Sequence, residues 1–506
     1  MRIFTALILF GLILTLNPSF GQKATIKWGP VEKTDKNKGN IEAIGWLDDS
    51  FYSLRQQTTM MLKSNFYLER VDKNMNIRYS KKLDLKDYFA PAVLFKDKKI
   101  YMYRLSAKET GFSSIGLHEA IFDLNGRKIQ DRLVTELDNI GRYNFNKTTT
   151  IIEVSPNGKQ LGVVIAKEEL KDDQVEVTTI HIPVDEPENY QSEIKLFEAV
   201  ENANDADLAQ VFVNNQGHIL FSLGTADRNF NNQAKSEPYE YSLIPWGPET
   251  GYGKAQKLVF DGVFFDQILI EKIDEDFFMT GMLLVKEEKK SQYIGFFLCK
   301  LNSENAELSN LSTFPYETSF FEALGYKIKK GGRIAFNGYF HLGLQNLETD
   351  GGYLIADHRV SNYASKELIA IPFDSEGNLG TLSVLPKYQY DYNAANKPSM
   401  YVINSIGYFA FSKGDQLHIV YADHKDNIEV IELDDLKNAK KPDDKEMVAV
   451  MAKINQGEKV EREILYSVKE KKGAFLIPEK CFAKDGRFII HIADGKHAQY
   501  GQLKFD

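Results

Sequence analysis

Cysteine is almost missing from this chain: Cys299 and Cys481 are the only two among 506 residues. Two thiols so far apart carry no metal-ligand spacing. A core this large needs no disulfide, so both are expected as free, buried, small hydrophobes. A basic surplus is missing too. Lys and Arg number 62 against 71 Asp and Glu, interleaved along the chain, for a net charge of −9. That excludes the basic footprint of a nucleic-acid binder; the mild acidity serves solubility. Catalytic signatures are absent: there is no G-x-S-x-G elbow, no H-E-x-x-H and no P-loop. Asn204-Asp205-Ala206-Asp207 lacks the ligands of a full calcium loop. No long stretch carries helical periodicity, and Asn202 to Leu208 is expected to form one helical turn at most.

One apolar run does occur, at the very start. Arg2 precedes the run Ile3 to Leu16, and Asn17-Pro18 ends it. The run is too short for a membrane span of about 20 residues. Ser19 and Gly21 have the small-x-small spacing of a cleavage site. Residues 1–21 therefore read as a signal peptide, and residues 22–506 as one exported domain in the periplasm or outside the cell. No later run is long enough to keep the mature chain in a membrane.

What the chain has in quantity is strand material. Hydrophobic residues make up 43%, with 33 Phe and 25 Tyr, side chains that pack well on a pleated surface. One unit recurs: an apolar strand, a short polar turn, and a second apolar strand. The best-formed copy runs from Ile151 to Ala166 around Ser155-Pro156-Asn157-Gly158-Lys159. Its Asn-Gly pair permits the positive φ of a tight hairpin, and the flanks alternate with period two. Further turns are placed at Asp48-Asp49, Lys96 to Lys99, Asn215 to His218, Asp274 to Asp276, Lys330 to Arg333, Lys413 to Gln416 and Lys484 to Arg487. Each pair of turns leaves room for two more strands, such as Val177 to Pro183 and Ile194 to Val200.

Eight units of four strands are the arithmetic of a β-propeller. The turn segments Ser155 to Lys159, Lys484 to Arg487 and Asn215 to His218 resemble the TolB-like or WD40-like propeller repeat. The Trp-Asp dipeptide of true WD40 repeats is missing, so the resemblance implies architecture and no activity. The expected fold is all-β: a single propeller of eight four-stranded blades, with seven blades or a pair of β-sandwiches left as alternatives. The turn joins the innermost strand, a, to strand b. Gly501 to Phe505 then forms the third strand of the last blade, and Ala24 to Trp28 its outer strand, so the two ends of the mature chain close the ring.

In this scheme the a–b turns are short, whereas the b–c and d–a connections vary and share the opposite face. Asp227 to Pro238, Gly343 to Lys366 and Pro386 to Met400 are expected as long loops there, and loops on a rigid scaffold are where binding resides. Shortening Gly343 to Lys366 is expected to cost little stability. Candidate binding residues on that face are Arg228, Phe230, His341, His358, Arg359, Tyr388, Tyr390, Tyr392 and His424. The alternate tyrosines project to one side of an extended segment and suit stacking on a sugar or a peptide; a half-buried strand places them equally well. The repeated Ala226-Asp227, Ala422-Asp423 and Ala493-Asp494 read as Asp side chains accepting backbone N–H groups in turns. His491, Asp494 and His497 diverge along a strand and do not make a metal site.

The expected function is a monomeric, non-catalytic binding or scaffold protein, without cofactor or metal, that faces a protein or glycan. The alternative is a hydrolase or lyase acting on exported polysaccharide with carboxylates in the central funnel. A solvent-open pair of carboxylates about 5 to 10 Å apart would favour the enzyme.

Overall fold

The computed structural model describes residues 24–505 apart from 34–40, 59–63, 86–88, 108–113, 139–147, 168–172, 202, 227–237, 274–275, 288–289, 325–338, 362–363, 391–405, 432, 438–445, 456–459, 485 and 495–496. Residues 1–21, expected to be a signal peptide, lie outside the described residues.

Eight antiparallel sheets follow one another along the chain, each built from four consecutive strand positions. In blade 3 the strands are Thr148–Val154, Gln160–Lys167, Gln174–Pro183 and Gln191–Glu198. Their turn forms as its sequence directs. Gly158 takes φ +68°, its N–H donates to the Ser155 carbonyl at 2.8 Å, and Ser155 Oγ accepts from Gln160 N at 2.9 Å. The corresponding turn of blade 2 uses positive φ at both Asp97 and Lys98, the twist that suits a two-residue hairpin.

The core is not central but lies between blades. One apolar cluster joins blades 2 and 3 through Tyr103, Leu117, Leu161, Val163 and Ile180. Another joins blades 6 and 7 through Tyr353, Leu368, Ile419 and Val450. A blade therefore buries its two faces against its neighbours, and a missing neighbour would leave both unsatisfied.

The ring closes as expected. Ala24–Trp28 pairs with His497–Phe505 in the register Ala24↔Phe505 to Trp28↔Gly501. Glu32–Lys33 then adds to the same strand at Ala498 and His497. The closing seam is thin, with Phe51, Val71, Met75, Ile489 and Tyr500 as its buried residues.

Three expectations need correction. The sixth a–b turn is Leu347 to Gly351, between Tyr339–Asn346 and Gly352–Ser361; Lys330 to Arg333 lies outside the described residues. Gly343 to Lys366 is therefore no loop. It holds the second half of strand a, all of strand b and the start of strand c, Ala364–Phe373, with Leu354, Ile355 and Ala356 fully buried, so removing it would remove the blade's centre. Asp205–Val213 is the innermost strand of blade 4, so Asn202 to Leu208 begins a strand and not a helical turn.

Cys299 lies on strand c of blade 5, and Cys481 follows the Pro478–Lys480 turn that interrupts strand a of blade 8, rather than lying on the strand. Both are free and buried, and burial pushes each thiol up to about 12. A thiol reagent is expected to label neither in the native protein and both after denaturation without reductant. Labelling of neither after denaturation without reductant would show that they are bonded to each other.

Candidate functional site

The connection face carries a buried polar cluster at the seam between blades 6 and 7, and several sequence candidates meet there. Strand b of blade 6, Gly352–Ser361, supplies Asp357, His358 and Arg359 in succession. Opposite orientations separate them: Asp357 and Arg359 share one side, and His358 turns to the other. The outer strand that begins as Ser383–Leu385 bulges away from strand c over Pro386, Lys387 and Tyr388. It then pairs Gln389 and Tyr390 with Ser365 and Ala364.

Lys387, in the middle of that bulge, is buried in the protein. Its ammonium is fully buried 2.7 Å from Asp357 Oδ1 and donates to Ser365 Oγ and to Gln389 Oε1 at 2.9 Å. Arg359 Nε donates to Asp357 Oδ2 at 2.6 Å, and Ser365 Oγ donates to Asp357 Oδ1 at 2.6 Å. Gln389 completes the lattice by bonding both backbone groups of Gly407 at 3.0 Å. Gly407 itself is required there: its φ is +114°, and a Cβ would stand 2.9 Å from Arg359 Nη2.

Charge follows from this packing. Burial alone would raise the Asp357 carboxyl, but Lys387 and Arg359 outweigh it and hold the group below its ordinary value. Burial lowers Lys387 against the pull of Asp357. On the other side of the strand, His358 Nδ1 meets Glu367 Oε1 at 2.7 Å, both side chains sealed from solvent.

The blade 7 half is built from the end of Gln416–His424. Asp423 Oδ1 accepts from His424 N at 2.7 Å, Asn427 Nδ2 at 2.8 Å and Tyr388 N at 3.4 Å. This is the backbone-capping role expected of the Ala-Asp pairs, and Asp494 repeats it by accepting from His497 N at 2.6 Å. His424 Nδ1 accepts from Asp426 N, and its Nε2 lies 3.1 Å from Glu446. Arg462, from the outer strand Glu461–Ser467, gathers the carbonyls of Pro386, Asn427 and Val430. It thereby ties the roots of two connections together.

Asp423 Oδ2 is buried without a hydrogen-bond partner, and burial pushes the carboxyl up to about 6. Raised above its unfolded value, the group contributes stability that is fully present below about pH 4 and is lost as pH rises through about 6. An Asp423→Asn variant lacks that loss. Wild type is expected to lose about 2–3 kcal/mol between pH 4 and 7 relative to it, measured by denaturant unfolding at both pH values. Parallel pH profiles would show that Asp423 does not titrate with folding.

Of the sequence candidates, His358, Arg359, Tyr388 and His424 gather at this seam, while His341 stands exposed on innermost strand a, paired in register with Asp357. Arg228, Phe230 and Tyr392, and the side chain of Tyr390, lie outside the described residues. Lys387, Asp357, Ser365, Gln389 and Arg462 were not foreseen, and Asp423 was foreseen only as a turn cap. Smaller clusters of the same kind join strands within blade 1, where Arg55 meets Glu69 at 2.8 Å, and blade 2, where Arg132 meets Glu119 at 2.7 Å. Among the described residues no three His, Cys, Asp or Glu side chains converge as a metal site.

No protein family matches the sequence, and no curated protein matches it. Solved structures do align. The WD40 domain of SCAP from fission yeast is 9% identical with a TM-score of 0.44, over 96% of this chain and 98% of that one. A puromycin hydrolase is 11% identical with a TM-score of 0.38, over 80% of this chain and 52% of that one. A puromycin-hydrolyzing peptidase from Mycobacterium tuberculosis is 10% identical with a TM-score of 0.36, over 93% and 61%. The chain thus spans about half the length of that first hydrolase. The WD40-like propeller architecture rests on the eight four-stranded sheets themselves.

Proposed function

We propose that this chain is an exported, non-catalytic binding protein that presents the b–c and d–a face of blades 6 to 8 to a protein or glycan partner. The carrying observation is the asymmetry of the two faces. The a–b turns are tight, as at Asp97-Lys98 and Leu347 to Gly351, whereas the opposite connections run from Tyr390 to Tyr408, from His424 to Met447 and from Ala226 to Glu240. The roots of the first two are pinned by Lys387, Gln389, Asn427 and Arg462, which makes a rigid base for variable segments. The carboxylates at this seam act as structural acceptors. Asp357 and Glu367 are sealed from solvent and hydrogen-bonded, whereas a glycosidase needs its acid and base open to substrate.

The test is capture from the exported fraction and on a glycan array with the mature protein. Replacing residues 391–405 by a short Gly-Ser linker is expected to abolish capture without shifting the melting temperature. Recasting the Asn157-Gly158 turn as Asp-Gly should leave capture intact. Equal capture by both variants would move the binding surface elsewhere, and release of reducing ends from a polysaccharide would replace this reading with the enzymatic one.

A further inference from the structure

The seam between blades 7 and 8 holds a cavity of about 260 Å³, whose lining includes the apolar Val31, Ala474 and Ile492 and the polar Glu470, Lys471, Asp494 and His497. Lys471 belongs to the d–a connection leaving blade 7. Asp494 and His497 flank the b–c connection of blade 8. Three segments distant in sequence therefore converge on one space.

Lys471 is the informative residue. Its Nζ sits 3.9 Å from the ring centre of Trp28, and Trp28 is itself fixed edge-on against Tyr466 at 5.3 Å. Among the described residues this ammonium makes no ion pair, although Glu470, which lines the same cavity, attracts it from farther away. An aromatic face orients a cation without neutralising it. Partial burial lowers the Lys471 pKa, so water compensates the charge only in part.

Opposite stands a positioned imidazole. His497 N donates to Asp494 Oδ1 at 2.6 Å, and His497 Nδ1 lies 3.1 Å from Asp494 Oδ2. The carboxylate fixes the ring while 45% of the side chain stays exposed. Asp494 uses Nδ1, which leaves Nε2 for a second hydrogen bond. The cavity thus combines an ammonium that has no ion-pair partner and an oriented imidazole with aliphatic side chains, at a size below that of drug-sized pockets.

We propose that this cavity binds a small monocarboxylate with a short apolar chain, the carboxylate on Lys471 and His497 and the chain on Ala474, Ile492 and Val31. A cationic ligand would meet Lys471 as a like charge, and a neutral one would leave it without an ion-pair partner. Because Val31 follows the ring-closing strand, an occupant holds both chain ends and stabilises the folded ring. The site does not depend on the partner reading above, since neither the loops nor the seam between blades 6 and 7 takes part.

The probe is hexanoate, with hexan-1-ol and hexylamine as matched controls, read by melting temperature and by saturation-transfer NMR of the probe. Hexanoate is expected to raise the melting temperature with concentration and to show saturation transfer; the controls should do neither. Lys471→Met keeps the stem on Trp28 and removes the charge, and should weaken hexanoate by at least about tenfold, the scale of one charged hydrogen bond. Ala474→Leu fills the cavity with the charge intact and should weaken it comparably. Equal binding of hexan-1-ol, undiminished binding by either variant, or no binding by wild type would overturn the proposal. Should a variant fail to fold, the wild-type contrast between hexanoate and hexan-1-ol decides alone.

Discussion

Deleting Gly501 to Asp506 is expected to abolish the folded monomer. These residues are the third strand of blade 8, and their removal strips Ala24–Trp28 of its register partners from Ala24↔Phe505 to Trp28↔Gly501. Leu503 is buried, and Phe505 packs on Phe411, His418 and Phe488, so two large apolar side chains leave the seam between blades 7 and 8. Ile26 and Trp28, which pack on the same cluster, lose their anchor. At about 1.5–3 kcal/mol for each large buried side chain, the loss approaches the whole stability of a typical domain, about 5–15 kcal/mol. The measurement is thermal unfolding with size-exclusion chromatography. Aggregation, or a melting temperature many degrees lower, is expected because blades 1 and 8 are left with open edges. A monomer melting like wild type would show that the ends do not close the ring. A point change at the same crossing has the same direction: a Cβ at Gly501 would stand 2.5 Å from Ile26 and 2.8 Å from the Trp28 ring, so Gly501→Val should also open the closure.

The ring and its closure were legible because they are written locally. Asn157-Gly158 announces a hairpin, and Ala24, Ile26 and Trp28 alternate with polar residues along one edge strand. Blade 6 misled for an equally physical reason. Its turn, Leu347 to Gly351, lies in a polar stretch, and its strand b ends in Asp357, His358 and Arg359, three residues that read as loop. Their polarity is compensated inside the protein by Ser365 and Glu367 on the neighbouring strand c and by Lys387 in the bulge after Leu385, partners that only strand pairing brings within reach. Lys387 gives no signal of its own, because a lone lysine is normally exposed. The seam between blades 6 and 7 escaped a reading by motif because its members are far apart in sequence: Asp357, Lys387 and Asp423 have no fixed spacing, and Asp423 belongs to the next blade.

Lys387 consequently sets the largest single-residue effect expected within a blade. Lys387→Met keeps a similar volume and removes the buried charge. Asp357 then retains Arg359 and Ser365 but loses its closest fully buried cation, and Gln389 and Ser365 each lose a donor. Removing one partner of a buried ion pair costs about 3–5 kcal/mol, mostly from the charge left behind. Denaturant unfolding should therefore place Lys387→Met and Asp357→Asn each well below wild type. The double variant should lose clearly less than the sum of the two, since neither charge is then left unpaired by the other's removal. The low Asp357 pKa adds a pH signature. A group whose folded pKa is depressed contributes stability above its unfolded value and loses it as pH falls through the folded one, so acid should destabilise wild type more than Asp357→Asn. Additive losses with parallel acid profiles would mean that Lys387 and Asp357 stabilise the seam separately, by packing. Coupled losses would mean that the base of the connection face is held by charge in a dry seam, where its strength depends little on the salt outside.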